Sequence, residues 1–344
     1  MNPVTLSILL MSLAIGTTVT LSSQHWLLAW IGLEINTLAI IPLLTKNFYP
    51  RAVEAATKYF LTQAAASALI LFSCLFNAWK TGEWSLSYTV DSTAIVLSIA
   101  LAMKLGLAPM HFWMPDVLQG IPMSTGLVLS TWQKIAPMIL LIQISQHINP
   151  FVSISVGFTS ILIGGWGGIS QTQMRKILAF SSIGHLGWTI IILKFSPQLA
   201  TFNFALYIIL TMAMFVSLMA LSSTSLAQVS TSWAKAPALT ASMVLVLLSL
   251  AGLPPLTGFS PKLMISLELV KQNAIFLMLL ISFASLLSLY FYLRLTYVVT
   301  LTLSPNTSYS LVIWRTLNET HFSSPLNIMA IFAFPLTPTL ILLM

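Results

Sequence analysis

Charge is what this chain has least of. Only 6% of its 344 residues are charged, 7 acidic and 14 basic, where soluble domains carry about 25%. So little charge cannot cover a soluble globule of this size, which excludes a soluble enzyme and a disordered protein. Cysteine is nearly absent as well. One thiol, Cys74, can neither build a disulfide framework nor hold an iron–sulfur cluster by itself. Nucleotide, haem and metal-cluster motifs are missing. The run Gly164-Gly165-Trp166-Gly167-Gly168 lacks the strand context and terminal lysine of a phosphate loop and reads as a close-packing helix surface. Apolar residues, in contrast, make up 57% of the chain, and the mean hydropathy is +0.94. The net charge of +7 is therefore no nucleic-acid signal, because basic residues of membrane proteins gather in loops on one side.

The apolar runs organise the chain. A bilayer span needs about 20 mostly apolar residues, and eleven candidates are present. They are Pro3 to Ser22, His25 to Leu44, Ala55 to Ala78, Thr93 to Phe112, Pro122 to Ser145 and Pro150 to Ser170. Then follow Met174 to Lys194, Gln198 to Ser222, Leu239 to Val270, Ala274 to Val298 and Pro325 to Met344. The runs are continuous, not the alternating segments of about 10 residues that a membrane barrel shows. The expected class is all-α, a polytopic membrane protein of about eleven helices. The first span has no basic leader and no clear small-residue cleavage site, so it reads as a retained helix.

Two spans are irregular. The ninth has 32 residues and carries Gly252-Leu253-Pro254-Pro255 with Pro261 beyond. Proline removes a backbone donor and clashes with the preceding turn, which predicts one discontinuous helix with unwound chain inside it. The fourth carries Gly106-Leu107-Ala108-Pro109 and Pro115. At an offset of 146 residues both read G-L-x-P, five residues, then proline. Each is the fourth segment of a five-segment block, an odd number that makes the repeats inverted. Interrupted spans at matching places in two halves are a sign of transporter-like repeats. The expected organisation is a first inverted repeat over 1–145, a second over 150–298, a loop over 299–324 and a C-terminal helix over 325–344.

Odd and even loops face opposite sides. The N-terminal side collects Lys46, Arg51, Lys58, Arg175, Lys176, Lys235 and Arg315, and the other side Lys80, Lys194 and Lys271. That seven-to-three split puts the N-terminus on the positive-inside face and the C-terminus opposite. Arg294, near a span end with Tyr290, Tyr292 and Tyr297, reads as an interfacial anchor. The sequons at Asn306 and Asn318 fall on the positive-inside side, where no glycosyl transfer would occur, and are discounted.

Three charges lie at central depth: Glu34, Lys104 and Lys134. Each costs about 2.5–3.5 kcal/mol on the lenient insertion scale. A structural ion pair of Glu34 with one lysine leaves the other lysine unexplained. A proton path accounts for all three. Pro137 frees the carbonyl of Gln133 beside Lys134, a place for water or an ordinary packing kink. Lys262 faces a cavity if the second break lies at mid-membrane and is a loop lysine if it lies at the surface. Asp116, at the aligned position, is placed near the positive-inside surface. His185, with Ser181 one turn away, and His111 in the first break suit a proton relay at neutral pH or a satisfied packing role. His25, His147 and His321 lie at loop positions and carry no signal.

The stretches Trp26 to Asn36 (WLLAWIGLEIN), Met103 to Trp113 (MKLGLAPMHFW), Lys134 to Pro137 (KIAP), Leu178 to His185 (LAFSSIGH) and Gly252 to Lys262 make a specific set. With them the chain resembles, over essentially its full length, the mitochondrially encoded chain 2 family of NADH:ubiquinone oxidoreductase, respiratory complex I. That family belongs to the antiporter-like membrane subunits. The resemblance implies inverted repeats, broken helices and a chain of buried lysines. It implies Glu34 and Lys104 as the paired charge of a first half-channel, Lys134 as the central lysine and Lys262 as that of a second half-channel. Relative to longer antiporter-like subunits this chain lacks three N-terminal spans, as is usual for the animal mitochondrial form.

The implied function is a proton-translocating subunit of the mitochondrial inner membrane, with its N-terminus in the matrix and its C-terminus in the intermembrane space. The chain binds no cofactor in this reading. NADH, FMN, iron–sulfur clusters and ubiquinone are expected in partner subunits, and phospholipids and other complex I subunits, but no nucleic acid, are expected as partners. A cycle passing a proton from Lys104 through His185 and Lys134 to Lys262 is the expected relay. Two other classes stay open: a free-standing cation/proton antiporter, and a structural spacer of the same complex.

Overall fold

The computed structural model describes residues 3–46, 49–86, 89–234, 236–301 and 323–339. Lys235, Arg315, His321, both sequons and nearly all of the 299–324 loop lie outside the described residues. The described residues are helical, with two isolated β-bridges. Among the described residues eight helical stretches, with 123–144 counted as one, are long and apolar enough to cross a membrane. Two compact units divide the chain, Met1–Ser160 and Ile161–Met344.

The first unit begins with α1 (Pro3–Ser22) and α2 (Trp26–Leu44). Gly16 and Gly32 let these helices touch: a Cβ on Gly32 would lie 2.9 Å from the Gly16 carbonyl oxygen. His25 caps α2, its Nδ1 accepting from the Leu27 amide at 3.3 Å. α3 (Pro50–Thr81) runs beyond its expected ends, with a proline in its first turn, where no partner for the missing N–H is needed. Trp30 of α2 donates to the Ser67 carbonyl of α3 at 3.1 Å. Asn77 of α3 accepts from the Val90 amide at 3.1 Å and from Thr93 Oγ1 at 3.2 Å, fixing the start of α4 (Asp91–Leu105).

α4 stops where the glycine–proline stretch begins. Gly106 takes a φ of 76°, the left-handed cap that glycine adopts without strain. The short α5 (Trp113–Gly120) follows and packs on α3. The span expected over Pro122 to Ser145 is two helices, α6 (Met123–Ser130) and α7 (Trp132–Ile144), interrupted at Thr131. Pro137 stays inside α7, and the irregular residue is Thr131, six positions before it. α8 (Pro150–Ile169) passes from the first unit into the second.

The second unit holds α9 (Met174–Leu193), α10 (Pro197–Ala220), the short α11 (Leu226–Thr231) and α12 (Pro237–Ala251). Ser225 and Gln228 cap α11 reciprocally. α12 ends on Gly252, whose φ is 78°. After the break come α13 (Phe259–Lys271), α14 (Ile275–Leu301) and α15 (Ser323–Phe332). The glycine run of α8 is a packing surface: Cβ atoms on Gly164 and Gly165 would meet the Gly184 backbone and Leu287 at 2.7 Å. Arg294 donates to the Ile169 carbonyl at the end of α8. Thr257 in the break donates to the Ala330 carbonyl of α15.

Candidate functional site: two buried lysine cavities

Helix ends leave carbonyls without partners, and the end of α4 shows how the first site is assembled. The Lys104 carbonyl accepts from Gln63 Nε2 at 3.4 Å, and the Met103 carbonyl from Trp113 Nε1 at 3.2 Å. The Met103 carbonyl also accepts from the Gly106 amide at 3.1 Å, so both acceptors are met without the Lys104 side chain. It is 6% exposed, and its Nζ has no hydrogen-bond partner in the protein. Together with Asn36, Gln63, Gln133, Lys134 and Pro137 it lines a small cavity of about 20 Å³, room for about one water.

Glu34 stands half-buried on α2, its Oε2 shielded and unpaired. Its charge reaches Lys104 and Tyr59, yet among the described residues no ion pair joins Glu34 to Lys104. Lys134, 2% exposed, follows the Thr131 interruption, and its amide donates to the Thr131 carbonyl at 3.3 Å. The structure therefore brings Lys104 and Lys134 to one cavity.

His111 is buried in the first break. Its Nδ1 donates to the Pro109 carbonyl at 3.2 Å, and it is not among the residues lining the Lys104 cavity. Asp116 is at the surface, accepting from Lys58 at 2.9 Å, while Lys58 also meets Glu54 at 2.8 Å. Exposed pairs of this kind contribute about 0–1 kcal/mol.

The second unit has its own small cavity of about 10 Å³, lined among others by Ser181, His185, Trp188, Lys262, Ser288 and Tyr292. Lys262 Nζ donates to the Ala251 carbonyl at 2.7 Å, at the end of α12. An ammonium there also faces the negative end of the helix dipole. Its stem lies along Gly252, where a Cβ would come within 2.9 Å of Cδ and Nζ. The Tyr292 hydroxyl lies 3.4 Å from His185 Nε2, and the Tyr207 ring is 6.2 Å from the histidine ring. Lys262 and His185 therefore share a cavity within one unit.

The sequence reading passed over Asn36, Tyr59, Gln63, Gln133 and Tyr207. The signal was present for Asn36, Gln63 and Gln133: a carboxamide deep in an apolar span is nearly as anomalous as a charge. Tyr292 was grouped with the interfacial tyrosines. It is 1% exposed, whereas Tyr290 and Tyr297 are 57% and 65% exposed.

Comparisons with known proteins give first the class. A family described as the transmembrane region of NADH:quinone oxidoreductase and Mrp antiporters matches residues 23–288. The fold agrees: a Mrp complex from Dietzia sp. superposes with a TM-score of 0.80 at 20% identity, over 86% of this chain and 61% of that one. Respiratory complex I from Thermus thermophilus with bound aureothin gives 0.81 at 27% identity, over 95% of this chain and 78% of that one.

A second family, NADH dehydrogenase subunit 2 C-terminus, matches residues 289–341. NADH-ubiquinone oxidoreductase chain 2 of Aquarana catesbeiana is 67% identical over all 344 residues, with both chains covered in full. The chain belongs to the NADH-ubiquinone oxidoreductase chain 2 family.

Proposed function

We propose that this chain is a proton-translocating core subunit of NADH:ubiquinone oxidoreductase in the mitochondrial inner membrane. The observation that carries the reading is the pair of cavities, each lined by lysine beside a helix break, with Lys104 and Lys134 buried and Lys262 half-buried, in a chain with little charge. Moving a charge against the membrane potential costs about 2.3 kcal/mol per 100 mV. The sequence has no redox or nucleotide motif to supply this, so the work comes from partner subunits that hold NADH, FMN, iron–sulfur clusters and ubiquinone. Family membership supports that assignment.

In the first unit Lys104 is the proton carrier next to its countercharge Glu34, and Lys134 is the carrier across the same cavity. In the second unit Lys262 is the carrier, with His185 as its relay. His111 is a packing residue of the first break in this reading, because its ring nitrogen is engaged by its own loop.

The proposed membrane topology has eleven crossings. α4 with α5 and α12 with α13 each count as one discontinuous span, α6 with α7 as one interrupted span, and α15 begins the last. Residues 1–145 and 150–298 form two repeats of one five-segment plan. The N-terminus faces the matrix and the C-terminus the intermembrane space. The exposed apolar residues of α1 and α14, such as Ile8, Phe276 and Phe283, meet phospholipid or neighbouring subunits.

Lys134→Met tests the relay. It keeps length and apolar character while removing the amine. Proton uptake and quinone reduction are measured together on the intact assembly in vesicles. The relay reading expects full assembly with at least a fivefold loss of coupled turnover. Parental rates in a fully assembled variant would show that the first cavity carries no obligatory proton.

A further inference from the structure

A carboxamide that bonds to nothing in the middle of a membrane helix needs a reason. Asn36 of α2 is 2% exposed, and neither Oδ1 nor Nδ2 has a hydrogen-bond partner in the protein. A structural asparagine looks different. Asn77, equally buried, accepts from the Val90 amide and from Thr93, and so ties α3 to the start of α4.

The surroundings of Asn36 are specific. Its oxygen lies over Gly16 of α1, where a side chain would strike it. Its backbone carbonyl accepts from Gln133 Nε2 at 3.1 Å, which ties α2 to the residue before Lys134. Its side chain lines the cavity that holds Lys104 and Lys134. A buried amide without partners is destabilising, and an apolar side chain in its place would lift that penalty.

We propose that Asn36 is a positioning residue whose carboxamide orients the water between Lys104 and Lys134. This rests on the relay reading above. An amide offers an acceptor and two donors. With the oxygen packed over Gly16, the nitrogen donates to the oxygen of a water in the cavity and so sets which way its O–H bonds point. The Lys104 ammonium then gives a proton to that water as the water gives one to the Lys134 amine. Asn36 neither gains nor loses a proton. Gln63 and Gln133 spend their amide N–H groups on backbone carbonyls, which leaves Asn36 as the unengaged carboxamide among the three.

The test compares two substitutions in the intact assembly. Asn36→Leu keeps the branching of asparagine with apolar, bulkier atoms. Asn36→Ala opens the space, and water takes the place of the amide. A packing role predicts the reverse of what the water-positioning role predicts. The expected result is that Asn36→Leu assembles at least as well as the parent and loses coupled proton uptake fivefold or more. Asn36→Ala keeps at least half of the parental uptake.

Normal uptake with leucine overturns the proposal, and so does an equal loss in both variants. If leucine prevents assembly, Asn36→Val, smaller than leucine and equally unable to bond water, decides in the same way. Lys134→Met run in parallel separates the failures. Where it abolishes uptake and Asn36→Leu does not, only the role of Asn36 falls. Where Lys134→Met has no effect, the relay itself falls.

Discussion

Lys262→Met sets two buried costs against each other. The ammonium lies in a slot along Gly252, with Cδ and Nζ at 2.9 Å from where a Cβ would stand, so an unbranched replacement fits and a branched one does not. Removing the amine relieves about 2.5–3.5 kcal/mol if it sits at full membrane depth. It also strands the Ala251 carbonyl, which now accepts from Nζ at 2.7 Å, at a cost of about 1–3 kcal/mol. The net change runs from about 2.5 kcal/mol stabilising to about 0.5 kcal/mol destabilising, so the variant should assemble to parental abundance. Coupled turnover is a separate matter, since methionine cannot hold a proton. Quinone reduction with simultaneous proton uptake in vesicles should fall on the order of tenfold, an added barrier of about 1.4 kcal/mol. Parental pumping at full assembly would refute the role of Lys262. Loss of assembly would refute the energetic reasoning, because it would make the capping bond far stronger than a single carbonyl contact.

Glu34→Gln keeps shape and removes the countercharge of Lys104; the assembly should form and redox-linked proton uptake should slow severalfold, measured in the same vesicles, and unchanged uptake would count against the pair. A membrane-impermeant label applied from the matrix face should reach the 303–324 loop, as the seven-to-three split of basic residues requires, and labelling from the opposite face alone would show the span count to be off by one.

The helices were legible because the signals are local. Apolar runs of span length mark them, and the helix ends at Ser22, Leu44 and Ile169 fall within a residue of those read from hydropathy. The glycine–proline stretches also marked where α4 and α12 stop. The interruption at Thr131 was not legible. Pro137 is visible in the sequence, but where the strain before it is released depends on which neighbours can bond the freed groups. Here Thr131 Oγ1 donates to the Leu127 carbonyl at 2.7 Å, and Gln133 reaches across to α2. α11 escaped for a similar reason, being a six-residue helix made by a capping box and not by an apolar run.

The site was half legible, and the missing half follows from how the two breaks are capped. α4 and α12 both end on a left-handed glycine and leave the same kind of orphan carbonyl. At the aligned positions the residues differ: Lys104 has Leu250 as its counterpart, and Lys262 has Asp116. In the first unit Gln63 and Trp113 meet the carbonyls of Lys104 and Met103. Lys104 is therefore free of any capping duty and turns into the cavity unpaired. In the second unit the ammonium of Lys262 is itself a cap, on Ala251. A sequence shows both lysines as equivalent buried charges, because it does not show which donors reach each helix end. Lys104 can change its surroundings without disturbing α4. Lys262 cannot leave Ala251 without uncapping α12, so any motion of its charge is tied to the backbone at the break. Of the two proposed carriers, Lys262 is the one whose charge a strain at the helix break would move directly.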